Sequence, residues 1–265
     1  MIASKNLPCV LNAIYVKSMQ YNNYFSAKAL VLCSFYDIMG KYIIEEKKMK
    51  NIEAVVFDMD GLMFDSERLW MNCFIKACQQ QGQAVSEEFL ISIAGLRSDL
   101  YDAELEKKFG KNFDLKSKRE TAEKMMKDAE NRGELPVKKG AKELLKFLKE
   151  KQVTLAIASS STIDDIKHRL KVCGIDESYF SSIIGGDMVT KAKPHPQVYL
   201  KSCQVLGVKP ENAMALEDSD VGIEAASKAG MIAIHIPDLK PSTEKTKAFA
   251  FKTLESLLDV IDLFN

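Results

Sequence analysis

With 265 residues and 46% apolar content, the chain can bury a sizeable core, either as one α/β domain or as a domain carrying an insertion. Lysine plus arginine equal aspartate plus glutamate at 37 each, so the whole-chain charge argues against both a nucleic-acid footprint and a polybasic membrane patch. The six cysteines contain no C-x-x-C pair and no zinc-finger spacing, which is the usage of free thiols in a reducing cytosol, and a cytoplasmic protein is expected.

Residues 1–48 differ from the rest of the chain. They hold five of the eight tyrosines and show neither a helical stripe nor strand alternation. Apolar runs such as ALVLCSFY fall short of the roughly 18 to 20 residues that span a bilayer, and no charged-apolar-cleavage sequence marks a signal peptide. Glu45–Lys48 immediately precede Met49. Codons for glutamate and lysine are almost all purine, as a ribosome-binding site translated in frame would be. Met49 is therefore expected to be the true start of a bacterial protein, with residues 1–48 a non-native or disordered extension.

From Ile52 onward short β-branched runs alternate with amphipathic segments, the pattern of a parallel sheet flanked by helices. The runs are EAVVF, VTLAIA (Val153–Ala158), SSIIGG (Ser181–Gly186), AMALE (Ala213–Glu217) and MIAIHI (Met231–Ile236). Between the first two lies a long stretch that reads as helix over Glu67–Gln80, Glu87–Ala94, Ser98–Phe109 and Lys116–Arg132. It is too long for a simple crossover and is expected to form a small helical cap over residues 66–135. Residues 52–65 and 136–265 would then make the core, an α/β domain with a Rossmann-like parallel sheet.

Open parallel sheets bind ligands at the carboxyl ends of their strands. The first strand is followed by Asp58, Asp60 and Gly61, the second by SSST (Ser159–Thr162), the third by GGDMVTKAKPHP with Lys193, and the fourth ends on Glu217, Asp218 and Ser219. Carboxylates this crowded need a cation, hydrogen bonds or a proton to coexist. Asp58, Asp60 and Asp218 could supply the hard oxygen ligands that magnesium prefers. Asp58 could also attack phosphorus, and Asp60, two residues on, could give a proton to the leaving oxygen and take one from water. Ser159 is expected to begin a helix whose free amides seat a phosphate, with Lys193 adding a fixed positive charge and Gly61 allowing the sharp turn after Asp60.

The segments DMDGLMFDSE, IASSS, KAKPHP and LEDSDVGIEAASKAG resemble the four motifs of the haloacid-dehalogenase-like hydrolase superfamily, in the branch with a helical cap after the first strand. The resemblance covers Ile52 to about Leu263. It implies Mg2+, an aspartyl-phosphate on Asp58, acid/base work by Asp60, and phosphate binding by Ser159, Ser160 and Lys193. Metal ligation would fall to Asp58, the Asp60 carbonyl and Asp218, with Glu217 in support.

Asp60 argues against dehalogenation, because haloacid dehalogenases lack the second aspartate. β-Phosphoglucomutases share the branch but carry a histidine where this chain has Trp70. The stretches DGLMFDSERLW and AGLRSDLYDAEL are more similar to hexitol and 2-deoxyglucose-6-phosphate phosphatases. Expected is thus a monomeric phosphatase of a small sugar or sugar-alcohol phosphate. Its alternatives are a phosphosugar mutase, a pseudouridine-5'-phosphate-type phosphatase and a non-enzymatic phosphosugar-binding regulator. Arg97, after Gly95 in a cap loop, is expected near the distal end of the substrate. Gln197 stands where relatives have an acid, which could shift Lys193. His195 is expected on an exposed loop, and His168 and His235 in structural roles.

Overall fold

The computed structural model describes residue 49 and residues 51–94, 98–110 and 113–265. Residues 1–48, together with Gly95 and Arg97, lie outside the described residues. Ile52–Asn265 forms a compact unit of its own.

Six parallel strands make one sheet in the order β3-β2-β1-β4-β5-β6. They are β1 (Ala54–Phe57), β2 (Thr154–Ala158), β3 (Ser182–Ile184), β4 (Ala213–Glu217), β5 (Ile232–His235) and β6 (Lys252–Thr253). All four residues of β1 are buried, because helices cover both faces of the sheet, and this is why the strand is an unbroken apolar run rather than an alternating one. Val56, Ala156, Ala215 and Ile223 share one cluster with Tyr199, beneath α7 (Gln197–Leu206) and α8 (Asp220–Lys228). On the other side α5 (Ala141–Glu150) packs on β2 through an inward stripe of Leu144, Leu145 and Leu148. Phe57 stands in register with Ile157 on β2 and Leu216 on β4, so Asp58, Ser159 and Asp218 all emerge at the same edge of the sheet.

Between β1 and β2 the chain forms α1 (Ser66–Gln80), α2 (Glu87–Ile93), α3 (Ser98–Phe109) and α4 (Leu115–Asn131) before α5. These four have an apolar cluster of their own, built on Phe74, Ala77, Leu90, Leu105 and Ala122. Trp70 belongs to it, stacked on Phe74 at 5.0 Å and set edge-on to Tyr101. Four cysteines among the described residues (Cys73, Cys78, Cys173, Cys203) are free thiols, and burial pushes each above the usual thiol range. No helix among the described residues is long and apolar enough to cross a membrane.

The helix expected to begin at Ser159 begins instead at Ile163, as α6 (Ile163–Val172). Thr162 takes the capping position, its hydroxyl accepting from the Asp165 amide, with Asp164 and Asp165 in the first turn. Three serines therefore precede the helix as a turn. The Ser159 hydroxyl accepts from the Ser161 amide at 3.0 Å, and the turn packs so closely on Gly186 that a Cβ there would lie 2.2 Å from the Ser160 carbonyl oxygen. Strand β6 is an addition to the expected set.

Candidate active site

A cleft of about 560 Å³ opens at the carboxyl ends of the strands, within the usual range for small-molecule sites. Asp58, Asp60, Ser159, Ser160, Lys193 and Asp218, separated by up to 160 positions in the chain, all line it. Glu217 lies fully buried behind Lys193.

Lys193 is the hub. Its ammonium, itself buried, donates at 2.6 Å to Asp58 Oδ1 and at 2.6 Å to Glu217 Oε1, and at 3.2 Å to the Ala158 carbonyl. Burial alone would lower the lysine pKa, but the Asp58 and Glu217 carboxylates outweigh it and hold the ammonium firmly charged. Gln197 anchors the start of its loop, since its amide oxygen accepts from the Thr190 and Lys191 amides at 3.1 and 2.8 Å. Lys193 reaches its partners with a glutamine there. His195 is exposed and turned to its own loop, where Nδ1 accepts from the Gln197 amide.

Glu217 has no spare oxygen. Oε1 accepts from Lys193 and from the Tyr199 hydroxyl at 2.6 Å, and Oε2 from the Asp218 and Ser219 amides and the Ser219 hydroxyl. The backbone of Gly222 in α8 lies directly against this carboxylate, and a Cβ there would sit 1.9 Å from Oε1. Gly222→Ala should therefore push Glu217 off its partners. Overpacking of this kind costs about 1–3 kcal/mol, so the denaturant midpoint should fall while the slope stays unchanged. An unaltered midpoint would show that Glu217 can move freely.

Asp58, Glu217 and Asp218 offer carboxylate oxygens that all lie within 4.8 Å of one another, and Lys193 pairs with the first two. Burial, with the neighbouring carboxylates adding to it, pushes Asp58 and Asp218 well above the usual carboxylate range, Lys193 opposing the rise at Asp58. Among the described residues neither Asp58 Oδ2 nor the Asp218 carboxylate accepts a hydrogen bond. Hard oxygen donors with uncompensated charge fit a small divalent cation such as Mg2+. Gly61 makes the turn beside them with φ +82, and a Cβ there would lie 2.2 Å from Asp218 Oδ2.

Asp60 sits apart from this cluster, with both oxygens engaged. Oδ1 accepts from the Ser66 hydroxyl at 2.6 Å and from the Arg169 guanidinium, and Oδ2 accepts from the Ser161 hydroxyl at 2.7 Å. Sequence reasoning did not single out Ser66, Ser161 or Arg169 for this role. The available signal is Arg169 itself, three residues after the buried Ile166 and so at the edge of the inward face of α6, where a cation demands carboxylates.

Two further lining residues were not among the expected site residues, Glu67 at the end of the first motif and Lys240 outside all four. Glu67, an exposed residue at the rim of the cavity, has its pKa pushed up to about 7 by desolvation of its carboxyl, with the Asp60 and Asp238 carboxylates adding to the rise. Lys240, in the loop after β5, donates to the Ser92 and Ala94 carbonyls at 3.0 and 2.6 Å and so ties the core to the end of α2. His235 is buried below, its Nε2 3.0 Å from the Asp218 carbonyl and its Nδ1 3.1 Å from the Ser242 hydroxyl. Burial lowers its pKa, as fits a neutral structural ring.

Over 189 residues the chain is 34% identical to the phosphorylated carbohydrates phosphatase of Thermotoga maritima, covering 69% of this chain and 84% of that protein. It is 30% identical to hexitol phosphatase B of Escherichia coli, covering 80% of this chain and 95% of the relative. The crystal structure of CbbY from Rhodobacter sphaeroides in complex with phosphate superposes with a TM-score of 0.66 at 25% identity, over 79% of this chain and 96% of that one. Residues 55–236 match the family model of haloacid dehalogenase-like hydrolases, and the chain belongs to that family.

Proposed function

We propose that this hydrolase is a Mg2+-dependent phosphatase that removes phosphate from a small sugar or sugar-alcohol phosphate through a phosphorylated Asp58. The observation that carries the reading is the Lys193 ammonium held between Asp58 and Glu217, beside an Asp218 carboxylate that has no cationic partner among the described residues. The names of the two phosphatase relatives supply the substrate class.

Asp58 Oδ2 is free to attack phosphorus, forming the Asp58–O–P bond as the ester P–O bond breaks. Asp60 gives its proton to the departing alkoxide. It then takes one from the water that attacks phosphorus, breaking the Asp58–O–P bond and releasing inorganic phosphate. The Ser159 hydroxyl accepts from the Ser161 amide and so keeps its own proton for a phosphoryl oxygen, and Lys193 and the Ser160 region flank the same oxygens. Asp58, the Asp60 carbonyl and Asp218 would hold Mg2+, with Glu217 fixing Lys193 beside it. The ion supplies a counter-charge that lets anionic carboxylate and anionic phosphate approach. The helices over residues 66–135 act as a cap that encloses the sugar.

A panel of phosphate esters assayed for free phosphate tests this reading. Sugar and hexitol phosphates should be hydrolysed, and chelation of Mg2+ should stop turnover reversibly. With β-glucose 1-phosphate and a catalytic amount of the bisphosphate, inorganic phosphate should appear faster than glucose 6-phosphate. Trp70 packs into the apolar cluster of the cap rather than standing at Asp60. Isomerisation outpacing hydrolysis would make the protein a mutase.

A further inference from the structure

Arg169 has a hand on each of two parts of the molecule. From α6, in the core, its Nη1 donates to Asp60 Oδ1 while its Nε donates at 2.8 Å to Glu130 Oε1, in the last turn of α4. Both contacts are sheltered, with the arginine side chain 14% exposed and that of Glu130 only 3%, so the ion pairs are weakly screened. His168, the preceding residue of α6, has its Nε2 3.4 Å from the second Glu130 oxygen without making a hydrogen bond to it, so Arg169 alone holds Glu130 from this helix. Ser66, the first residue of α1, reaches the same Asp60 oxygen as Arg169. The carboxylate of Asp60 is thus oriented by one donor at the start of the helical insertion, one from the serine turn, and one arginine whose other hand holds the end of that insertion.

We propose that Arg169 is a positioning residue that couples the helical cap to Asp60, setting the orientation of the proton-carrying carboxylate according to where α4 lies. The proposal rests on the acid/base reading of Asp60. The physical basis is geometric. A carboxylate with three donors is confined to one rotamer, and proton transfer requires its oxygen within about 3 Å of the leaving oxygen. Any displacement of α4 pulls Glu130, and with it the guanidinium, so movement over the substrate is transmitted to Asp60. No other side chain among the described residues is hydrogen-bonded both to Asp60 and to α4.

The test is a double-mutant cycle on Arg169 and Asp60, read as turnover of sorbitol 6-phosphate. Arg169→Lys keeps the charge but cannot bridge two carboxylates with a planar fork. It should lower kcat roughly 10- to 100-fold, as misplacement of a reacting group does, with KM moved less than about threefold. In an Asp60→Asn background the same substitution should change kcat by less than about twofold, because no proton carrier remains to be oriented. Equal factors in both backgrounds would make Arg169 a general support and overturn the proposal. Glu130→Met keeps volume but removes the acceptor for Nε, breaking the link to α4 while leaving Arg169 and Asp60 in place, so it serves if the arginine variant folds poorly. Loss of kcat confined to the background with an intact Asp60 supports the coupling, and an unchanged kcat overturns it. An Asp60→Asn enzyme that turns over at the wild-type rate would sink the acid/base reading itself, whereas an additive cycle on a strongly impaired Asp60→Asn enzyme sinks only the role of Arg169.

Discussion

Asp58→Asn is expected to reduce phosphate release from a sugar phosphate by a factor on the order of 10⁴ to 10⁶, the scale on which covalent enzymes lose turnover when the nucleophile is removed. An amide oxygen is a poor nucleophile toward phosphorus, and the neighbouring Asp218 carboxylate is assigned to the cation rather than to attack. The fold should survive. Lys193 keeps its 2.6 Å bond to Glu217 and its bond to the Ala158 carbonyl, and the asparagine side-chain oxygen can still accept from the ammonium. Losing one partner of a buried ion pair commonly costs about 3–5 kcal/mol when the other is stranded, but here about half of that compensation stays in place. Thermal unfolding of the variant beside steady-state assays separates loss of chemistry from loss of structure. Residual turnover within tenfold of wild type would refute covalent catalysis at Asp58.

Asp60→Asn has the second largest expected effect, and it should depend on the leaving group. An alkoxide needs a proton as the ester bond breaks, and the later water needs a base. Each contribution is about 10² to 10⁴-fold, so both half-reactions should slow for a sugar phosphate. A p-nitrophenolate needs little protonation. With that ester the variant should release the first equivalent of nitrophenol at a rate much closer to wild type and then stall. The oxygens of Asp60 already lie among Ser66, Ser161 and Arg169, none of which is close to being a substitute proton carrier at neutral pH. If aryl and sugar esters are slowed by the same factor, with release of the first alcohol limiting in both, Asp60 positions the metal instead of moving protons.

The strands are legible in the sequence wherever a buried run is bounded by clear turn residues. Ala213–Glu217 forms β4 over its whole expected length, and the other four expected strands lose one or two residues at one or both ends. Strand ends also reveal the site, because a parallel sheet sends every carboxyl end to one edge, and acids, hydroxyls and a lysine in those places have few other uses. What escapes a linear reading depends on competition or on distance. Ser159 and Thr162 can both cap a helix, and Thr162 prevails because it alone has acids in the following turn. Strand β6, Lys252–Thr253, is two exposed residues long, too short to show any period. Arg169 meets Asp60 and Glu130 across spans of 109 and 39 residues, and nothing local to α6 names its partners. Glu67 and Lys240 line the cleft because of how the insertion lies against the loop after β5, which no propensity encodes.

The most direct test of covalent phosphoryl transfer is the mass of the enzyme itself. Asp60→Asn protein mixed with p-nitrophenyl phosphate and Mg2+ should be quenched in acid within the first turnover and its peptides mapped by mass spectrometry. The account predicts one added phosphoryl group on the peptide containing Asp58, formed as the first equivalent of nitrophenol is released and absent from the Asp58→Asn protein. Nitrophenol released with no phosphoryl group on that peptide at any quench time would contradict it.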